Sequence, residues 1–220
     1  MAFFISKIME FLPIEVEKYA TNHTTKESLL LSELNRETWA NVMMPRMLSG
    51  HLQGRILSMF SKLVSPRNIL EIGTYTGYSA LCLAEGLKAN GTLHTLDINE
   101  EYTNVANNYF TKSSFSNNIQ QHIGKALDII PTINCNFQLA FIDADKENYT
   151  NYFDAIIDKI DLGGLIIADN VLWSGKVTKK MKDEETIALD NYNKKIINSE
   201  RVETVLFPVR DGLMISRKVQ

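Results

Sequence analysis

Two apolar runs in the C-terminal half of the chain end in side chains that carry oxygen. Residues 141–153 read FIDADKENYTNYF, so that Asp143 directly follows an apolar run. Residues 165–170 read LIIADN, in which a second apolar run ends in Asp169 and Asn170. Two carboxylates and a carboxamide form an all-oxygen set of ligands, which suits Mg²⁺, Ca²⁺ or Mn²⁺ better than zinc. The pattern therefore indicates a site for a hard divalent cation, with Mg²⁺ as the first choice.

Each of these groups also has a simpler explanation. Asp143 taken alone could cap the N-terminus of a helix, and Asp169 with Asn170 could form an ordinary turn. Asp145 is expected to cap a helix or to face solvent, so it is left out of the site. Because two separate strands end in oxygen ligands, and because ligands lie beyond the carboxyl ends of parallel strands, we favour a shared site.

A glycine turn follows the first strand of the same region, within LEIGTYTGYSALCLAEGL. Gly73 and Gly77 lie in the turn, and Glu71 precedes the first of them by two residues. This is not the GxGxxG pattern, and a carboxylate there would repel a pyrophosphate but favour a ligand with a positive charge. Asp97 ends the second strand, where doubly wound folds place an acid that binds ribose hydroxyls. The alternative is an ordinary strand–helix turn with a capping acid.

Alternating strands and helices must position these side chains. The predicted strands are the runs NILEI, TLHTLDI, IQQHI, FQLAFID and GLIIAD. The helices between them are predicted to start near Gly77, Glu100, Lys125 and Glu147. Such alternation predicts a parallel sheet with helices on both faces. After a helix from about 183 to 198, RVETVLFPVRDGLMISRKV predicts an antiparallel hairpin at the sheet edge, with its turn at residues 210–212.

The first part of the chain, up to about residue 64, has a helical pattern. TKESLLLSELNRETWANV spaces Leu30, Leu34 and Trp39 at helical intervals. HLQGRILSMFSKLV repeats apolar residues in the same way, at Leu52, Ile56, Leu57, Phe60 and Leu63. We therefore expect one α/β domain over residues 1–220. It would hold a doubly wound, mostly parallel seven-stranded sheet under an N-terminal helical layer of about residues 1–64.

Composition limits the cell compartment and the partners. The 220 residues are 45% hydrophobic and carry a net charge of −3, which argues against nucleic acid and anionic membranes as partners. The start, MAFFISKIMEFLP, lacks a basic beginning, is interrupted by Lys7 and Glu10 and ends at Pro13, so it is not expected to be a signal peptide. Cys82 and Cys135 have no CxxC spacing and are expected to be buried free thiols in a reducing compartment. We expect a cytoplasmic protein.

Five motifs in combination give the chain a resemblance to a known family: LEIGTYTGYS, GTLHTLDINEEY, FIDADKENYTNY, GGLIIADNVLWSGKV and DGLMISRK. Over about residues 40–218 the chain resembles the class I S-adenosylmethionine-dependent methyltransferases. More closely, it resembles the cation-dependent O-methyltransferases that include the caffeoyl-CoA and catechol O-methyltransferases. The resemblance implies a Rossmann-like methyltransferase fold, S-adenosylmethionine as cofactor and a divalent cation. The stretch DADKENY is closer to the plant and bacterial branch than to the animal catechol enzymes.

The resemblance also implies roles for individual residues. The residues that would bind the cofactor are Glu71, Gly73, Ser79, Asp97, Ala126 and Asp143. The residues that would hold the cation are Asp143, Asp169 and Asn170. Among the cofactor-binding residues, Asp97 would bind the ribose hydroxyls and Ala126 would lie by the adenine. Lys146 matches the family's general base, which makes it catalytic together with Asp143, and Trp173 would lie near the acceptor. Tyr149 and Tyr152 are expected only to pack.

The function that follows is methylation of one hydroxyl of a vicinal dihydroxy aromatic small molecule, a catechol or a caffeoyl-type compound. A homodimer is expected, because this branch often dimerises and because Leu29, Leu30 and Leu31 present apolar surface on more than one side. Three rivals stay open: a nicotinamide dehydrogenase, a methyltransferase-like binding protein without catalysis, and a methyltransferase that acts on a non-catechol acceptor. The missing GxGxxG motif argues against the dehydrogenase.

Overall fold

The structure, a computed structural model, describes residues 13–220. Within them the α-helices are α1 (Ile14–Asn22), α2 (Leu29–Asn41), α3 (Gly50–Val64), α4 (Tyr78–Ala84), α5 (Glu100–Lys112), α6 (Ala126–Ile129), α7 (Tyr149–Ile156) and α8 (Glu184–Ile197). The strands are β1 (Asn68–Ile72), β2 (Thr92–Asp97), β3 (Ile119–Ile123), β4 (Phe137–Ile142), β5 (Ile160–Ala168), β6 (Val202–Phe207) and β7 (Leu213–Lys218). Nearly all of the segment weighed as a signal peptide, residues 1–12, lies outside the described part.

The seven described strands form one sheet in the order β3-β2-β1-β4-β5-β7-β6. The first five of these are parallel to one another, and β7 is antiparallel to both β5 and β6. The chain moves outward from β1 to β3, returns to β4 and continues in the other direction. The predicted doubly wound sheet with a C-terminal antiparallel hairpin is therefore confirmed. Its carboxyl edge at β1 and β4 is the switch point where such sheets bind ligands.

Helices cover both faces of the sheet and enclose two hydrophobic clusters. Buried side chains of α6, α7 and α8 pack on one face, together with Leu70 and Ile142. Those of α2, α3, α4 and α5 pack on the other face, together with Ile69 and Phe141. The strands in the middle of the sheet are thus buried on both sides, which explains why they appear in the sequence as short continuous apolar runs.

The N-terminal helices form as predicted, but their buried faces differ from the apolar spacing. In α2 the Trp39 side chain is 57% exposed, and in α3 that of Leu63 is 74% exposed. The buried residues of α3 are mainly polar or small, namely Gln53, Gly54, Leu57, Ser58 and Ser61. Spacing identified the helix correctly, whereas close packing on α4 and on the sheet selected which side is buried.

Both cysteines are free thiols, with Cys82 buried and Cys135 half-buried. Among residues 13–220, no helix combines the length and the apolar character needed to cross a membrane. The expectation that the whole chain forms one domain stays a prediction.

Candidate active site

The glycine turn after β1 packs directly against the end of β4. Gly73 has φ +104°, and a Cβ atom there would lie 2.0 Å from the carbonyl oxygen of Asp143, so only glycine fits. The backbone N–H of Gly73 donates to the carbonyl of Leu96 at 2.8 Å, and that of Asp143 donates to the carbonyl of Ile72 at 2.9 Å. These bonds hold the ends of β1, β2 and β4 together at one edge.

Asp97, at the end of β2, faces this turn. Its Oδ2 accepts a hydrogen bond from the backbone N–H of Tyr75 at 2.7 Å, and its Oδ1 accepts one from the backbone N–H of Asn99 at 2.9 Å. Ala126 begins α6 on the neighbouring loop, which is tied to Asp97 because the N–H of Gly124 donates to the Asp97 carbonyl at 2.8 Å. The predicted ribose and adenine residues therefore lie side by side along the edge.

Glu71 is fully buried beneath the turn. Its Oε2 accepts from the Thr95 hydroxyl at 2.6 Å, and that hydroxyl lies 2.5 Å from the Thr74 hydroxyl. Its Oε1 has no hydrogen-bond partner in the structure, although the Ser79 hydroxyl is close enough to lower the pKa. Burial outweighs these contacts and raises the pKa of Glu71 to about 8. A buried, partly unpaired carboxyl group therefore lies next to the glycine turn.

Asp143 and Lys146 form a compact pair at the end of β4. The Lys146 ammonium donates to Oδ1 of Asp143 at 3.1 Å and to the Tyr149 hydroxyl at 2.8 Å. That hydroxyl donates in turn to the carbonyl oxygen of Asp169 at 3.0 Å. Burial raises the pKa of Tyr149 well above its ordinary value, so the phenol keeps its proton. Tyr149, expected only to pack, thus links the lysine to the end of β5.

Asp169 follows β5 and is almost completely buried. Its Oδ2 accepts from the Gln53 side-chain amide at 2.6 Å, and its Oδ1 accepts from the backbone N–H of Asn170 at 2.7 Å. Burial and the charge of Asp143 raise the pKa of Asp169 above its ordinary value. The two carboxylates are therefore close enough to repel each other. Asn170, next in the chain, has a left-handed backbone with φ 60°.

Trp173 lies in the loop after Asn170. It is half-buried against the hydrophobic cluster that α6, α7 and α8 form with the sheet. The Lys146 Nζ lies 5.7 Å from the centre of its ring, and its indole Nε1 is buried without a hydrogen-bond partner. The loop is held by the turn between β6 and β7, because the N–H of Leu172 donates to the carbonyl of Asp211 at 2.9 Å. The Trp173 ring, whose Nε1 has no partner, therefore lies beside the Lys146 ammonium.

The structure brings the predicted residues together in two adjoining groups. The first contains Glu71, Gly73, Ser79, Asp97 and Ala126, and the second contains Asp143, Lys146, Asp169, Asn170 and Trp173. In the part of the chain that is described, no three His, Cys, Asp or Glu side chains converge on a point that could hold a metal ion. The second group has only two carboxylates, so a cation there would need the carboxamide of Asn170 as its third protein ligand.

Sequence reasoning missed Gln53 and assigned Tyr149 to packing alone. Gln53 had one detectable signal, which is its place among polar and small residues that share one side of α3. Tyr149 had a signal too, because it follows Lys146 by three residues and so falls on the same side of the helical turn.

Comparisons with known proteins agree on one family. A family profile described as O-methyltransferase matches residues 21–219. Caffeoyl-CoA O-methyltransferase of Mesembryanthemum crystallinum is 34% identical over 181 residues, which cover 76% of this chain and 71% of the relative. Caffeoyl-CoA O-methyltransferase 5 of Nicotiana tabacum is 33% identical over 181 residues, which cover 76% of this chain and 75% of the relative.

Solved structures show the same similarity in three dimensions. The O-methyltransferase TomG of Streptomyces achromogenes, in complex with S-adenosylmethionine, has a TM-score of 0.86 at 25% identity and covers 94% of this chain and 96% of its own. The O-methyltransferase of Bacillus cereus, in complex with S-adenosylhomocysteine, has a TM-score of 0.85 at 27% identity, with 93% and 97% covered. The chain therefore belongs to the class I S-adenosylmethionine-dependent O-methyltransferase family.

Proposed function

We propose that this enzyme methylates one hydroxyl of a vicinal dihydroxy aromatic, a catechol or a caffeoyl-type compound, and that it needs a divalent cation. The observation that carries the proposal is the contact between the glycine turn and Asp143. A Cβ atom at Gly73 would lie 2.0 Å from the Asp143 carbonyl oxygen, so the turn that would bind the cofactor touches the acid that would bind the cation. A methyl donor and an acceptor can meet only where two such sites adjoin.

The residues of the first group suit S-adenosylmethionine. The unpaired Oε1 of Glu71 is an acceptor without a donor, and a cationic ligand nearby would favour the ionised carboxylate. Each oxygen of Asp97 already accepts one backbone N–H. Since a carboxylate oxygen can accept more than one hydrogen bond, both remain able to receive a ribose hydroxyl. Ser79 and Ala126 would line the remainder of the cofactor pocket.

The donor set of the second group fits a hard divalent cation. Asp143 and Asp169 end neighbouring parallel strands, and the charge of the first raises the pKa of the second. A cation held by both carboxylates would offset their mutual repulsion, and the carboxamide of Asn170 would supply a third oxygen. Mg²⁺ is our first choice, and Ca²⁺ or Mn²⁺ suit the same oxygen atoms. Three protein ligands leave coordination positions open for the acceptor.

A cation here would act as a Lewis acid towards a phenol, whose pKa is ordinarily about 10. Lys146 would act as general base in its neutral amine form, after its ammonium has released a proton to solvent, and would then accept the phenolic proton. The Lys146 amino group is held by the Tyr149 hydroxyl at 2.8 Å and by Oδ1 of Asp143 at 3.1 Å. Because the backbone of Asp143 also packs against Gly73, a hydroxyl that gives its proton to this lysine would lie near the proposed methyl donor.

Coordination positions left open on such a cation would favour an acceptor with two adjacent oxygens. A molecule of this kind would be oriented through both oxygens, whereas a monophenol would be held through one. The Trp173 ring offers an apolar wall to the aromatic ring of the acceptor. Its indole N–H, buried without a partner, could donate to a polar substituent.

The decisive comparison uses a catechol and the matching monophenol at equal concentration with Mg²⁺, and measures kcat/KM for each. We expect the catechol to be the better substrate. A monophenol that matches or exceeds it would refute the two-oxygen arrangement. A panel of acceptors with radiolabelled cofactor extends the test. Transfer only to other hydroxyl compounds would indicate a non-catechol acceptor, and cofactor binding without any transfer would indicate a binding protein.

Cation dependence has its own experiment. Chelator should abolish turnover, and added Mg²⁺ or Mn²⁺ should restore it, because without a metal ion nothing would orient the acceptor oxygens. Full activity in excess chelator would remove the cation from the proposal while leaving cofactor binding intact.

We also propose a cytoplasmic homodimer in which the N-terminal helices help to pair the subunits and to close the acceptor pocket. Leu31 is buried in α2, whereas Leu29 is 84% exposed and leaves apolar surface for a partner. α2 also contacts the glycine turn, since the Thr38 hydroxyl donates to that of Thr76 at 3.1 Å. Light scattering at micromolar concentration would test the pairing, and a monomer would contradict it.

A further inference from the structure

One buried polar side chain from the N-terminal helices reaches the proposed cation site. Gln53 lies in the first part of α3, is 1% exposed, and donates from Nε2 to Oδ2 of Asp169 at 2.6 Å. We propose that Gln53 is a positioning residue that fixes the Asp169 carboxylate as a cation ligand and so sets the affinity of the enzyme for its cation. The inference rests on the proposed function, because it takes Asp169 as a ligand.

The two oxygens of Asp169 are each held by a neutral donor. Oδ2 accepts from Gln53, and Oδ1 accepts from the backbone N–H of Asn170 at 2.7 Å. The second bond comes from the next residue in the chain, whereas the bond from Gln53 comes from a separate element, α3. Together the two bonds hold both oxygens, and therefore the plane of the carboxylate. Each oxygen keeps a lone pair that can point towards a cation.

The chemical type of this donor matters as much as its position. A carboxamide donates a hydrogen bond without adding charge, so the full negative charge of Asp169 remains for the cation. A lysine at residue 53 would place an ammonium against the carboxylate and compete with the cation. Residues that orient a ligand in this way typically change metal affinity 10- to 100-fold when they are removed.

Two contacts place Gln53 where it can reach. The next residue, Gly54, packs so closely on α4 that a Cβ atom would lie 2.6 Å from the Tyr78 ring and 2.8 Å from the Cys82 sulfur. The start of α3 is held by Arg210, whose Nη1 donates to the carbonyl of Leu48 at 3.2 Å. Because residue 54 has no side chain, α3 can pack close to α4. In this position the side-chain amide of Gln53 reaches Asp169, directly after β5.

The test is Gln53→Met, which keeps the length of the side chain and removes the donor. Mn²⁺ binding is measured directly, by the free-ion signal in electron paramagnetic resonance and by calorimetry. We expect the Kd for Mn²⁺ to rise 10- to 100-fold. The Kd for S-adenosylmethionine should stay unchanged, because Gln53 touches the cation side only. Gln53→Lys should abolish Mn²⁺ binding.

Ser61→Ala is the matched control. Ser61 is also buried in α3, and its hydroxyl donates to the carbonyl of Leu83 at 2.6 Å, away from the site. This variant loses one buried hydrogen bond of the same helix and should bind Mn²⁺ as the unmodified protein does. A similar loss of affinity in both variants would show a general loosening of α3 and would overturn the positioning role.

Other outcomes are equally distinct. Unchanged Mn²⁺ affinity in Gln53→Met overturns the inference and leaves the proposed function standing. An unmodified protein that binds S-adenosylmethionine but no Mn²⁺ overturns the cation role and this inference with it. If Gln53→Met does not fold, the side-chain amide of Gln53 is followed by nitrogen-15 NMR in the unmodified protein. Slow exchange and a shift on adding Mg²⁺ support the inference, and rapid exchange without a shift overturns it.

Discussion

The buried carboxyl group of Glu71 should make the stability of the ligand-free enzyme depend on pH, and Glu71→Gln should remove that dependence. Burial is the main cause of its raised pKa, and the charges of Asp143 and Asp97 add to it. Thr95 donates to one oxygen at 2.6 Å, and a glutamine carbonyl could accept the same bond. The substitution therefore removes a titrating proton with little change of shape.

The direction in which stability changes with pH depends on whether the folded or the unfolded chain binds the Glu71 proton more tightly. The pKa of Glu71 is about 8 in the folded protein against an ordinary value of 4.5 in the unfolded chain. The contribution to stability is thus fully present below about pH 4.5 and is lost as the pH rises through about 8. At about 1.4 kcal/mol for each pH unit between the two values, the loss is on the order of 5 kcal/mol.

The assay is urea unfolding of both proteins, without cofactor, at about pH 5 and about pH 8.5. Subtracting one protein from the other at each pH cancels the other titrating groups. The free energy of unfolding of the variant, relative to the unmodified protein, should rise by about 4 kcal/mol between the two conditions. A difference that is the same at both pH values would refute the reasoning, because Glu71 would then titrate alike in the folded and unfolded chains.

Three further predictions concern other parts of the molecule. Asp97→Ala should weaken S-adenosylmethionine binding by roughly 1.5–3 kcal/mol per lost hydrogen bond, measured by calorimetry, and an unchanged Kd would remove Asp97 from the site. Tyr149→Phe should lower kcat about 10-fold, equivalent to one hydrogen bond to the Lys146 ammonium, while the cofactor Kd stays constant; equal kcat values would contradict this. Burial and the neighbouring His122 lower the pKa of His94 to about 4, so the free energy of unfolding should fall as the pH falls from 6.5 to about 4. In urea unfolding, the free energy of unfolding of His94→Gln should fall less steeply between pH 6.5 and about 4 than that of the unmodified protein. The same pH dependence in both proteins would refute this prediction.

The strands of the sheet were largely predictable because buried parallel strands leave short apolar runs. The run NILEI coincides with β1, Asn68–Ile72. The run GLIIAD gave the end of β5 correctly but placed its start too late, since the strand begins at Ile160. Gly163 and Gly164 lie inside the strand, beside a register shift against β4 between Phe137 and Leu139.

The position of the acids could also be predicted, whereas the pairing of Gln53 with Asp169 could not. Asp143 and Asp169 end parallel strands, and parallel strands end at one edge of a sheet, so the pattern alone brings them together. Gln53 lies 116 residues from its partner, and no periodicity relates an amide in a helix to a carboxylate after a strand. Such contacts depend on how closely two layers pack, which here is decided by a neighbouring glycine.

The loop that carries Trp173 has a consequence for any attempt to change the acceptor. Trp173 and Ser174 both have positive φ values, 45° and 51°, which are strained for residues other than glycine. The C-terminal turn holds them, since Gly212 and Asp211 accept hydrogen bonds from the loop backbone. A Cβ atom at Gly212 would lie 2.6 Å from the Leu172 side chain. The Trp173 loop and the turn between β6 and β7 therefore have to be exchanged together. If only the loop were replaced by that of a relative, its strained backbone would relax, and the aromatic ring would no longer line the site.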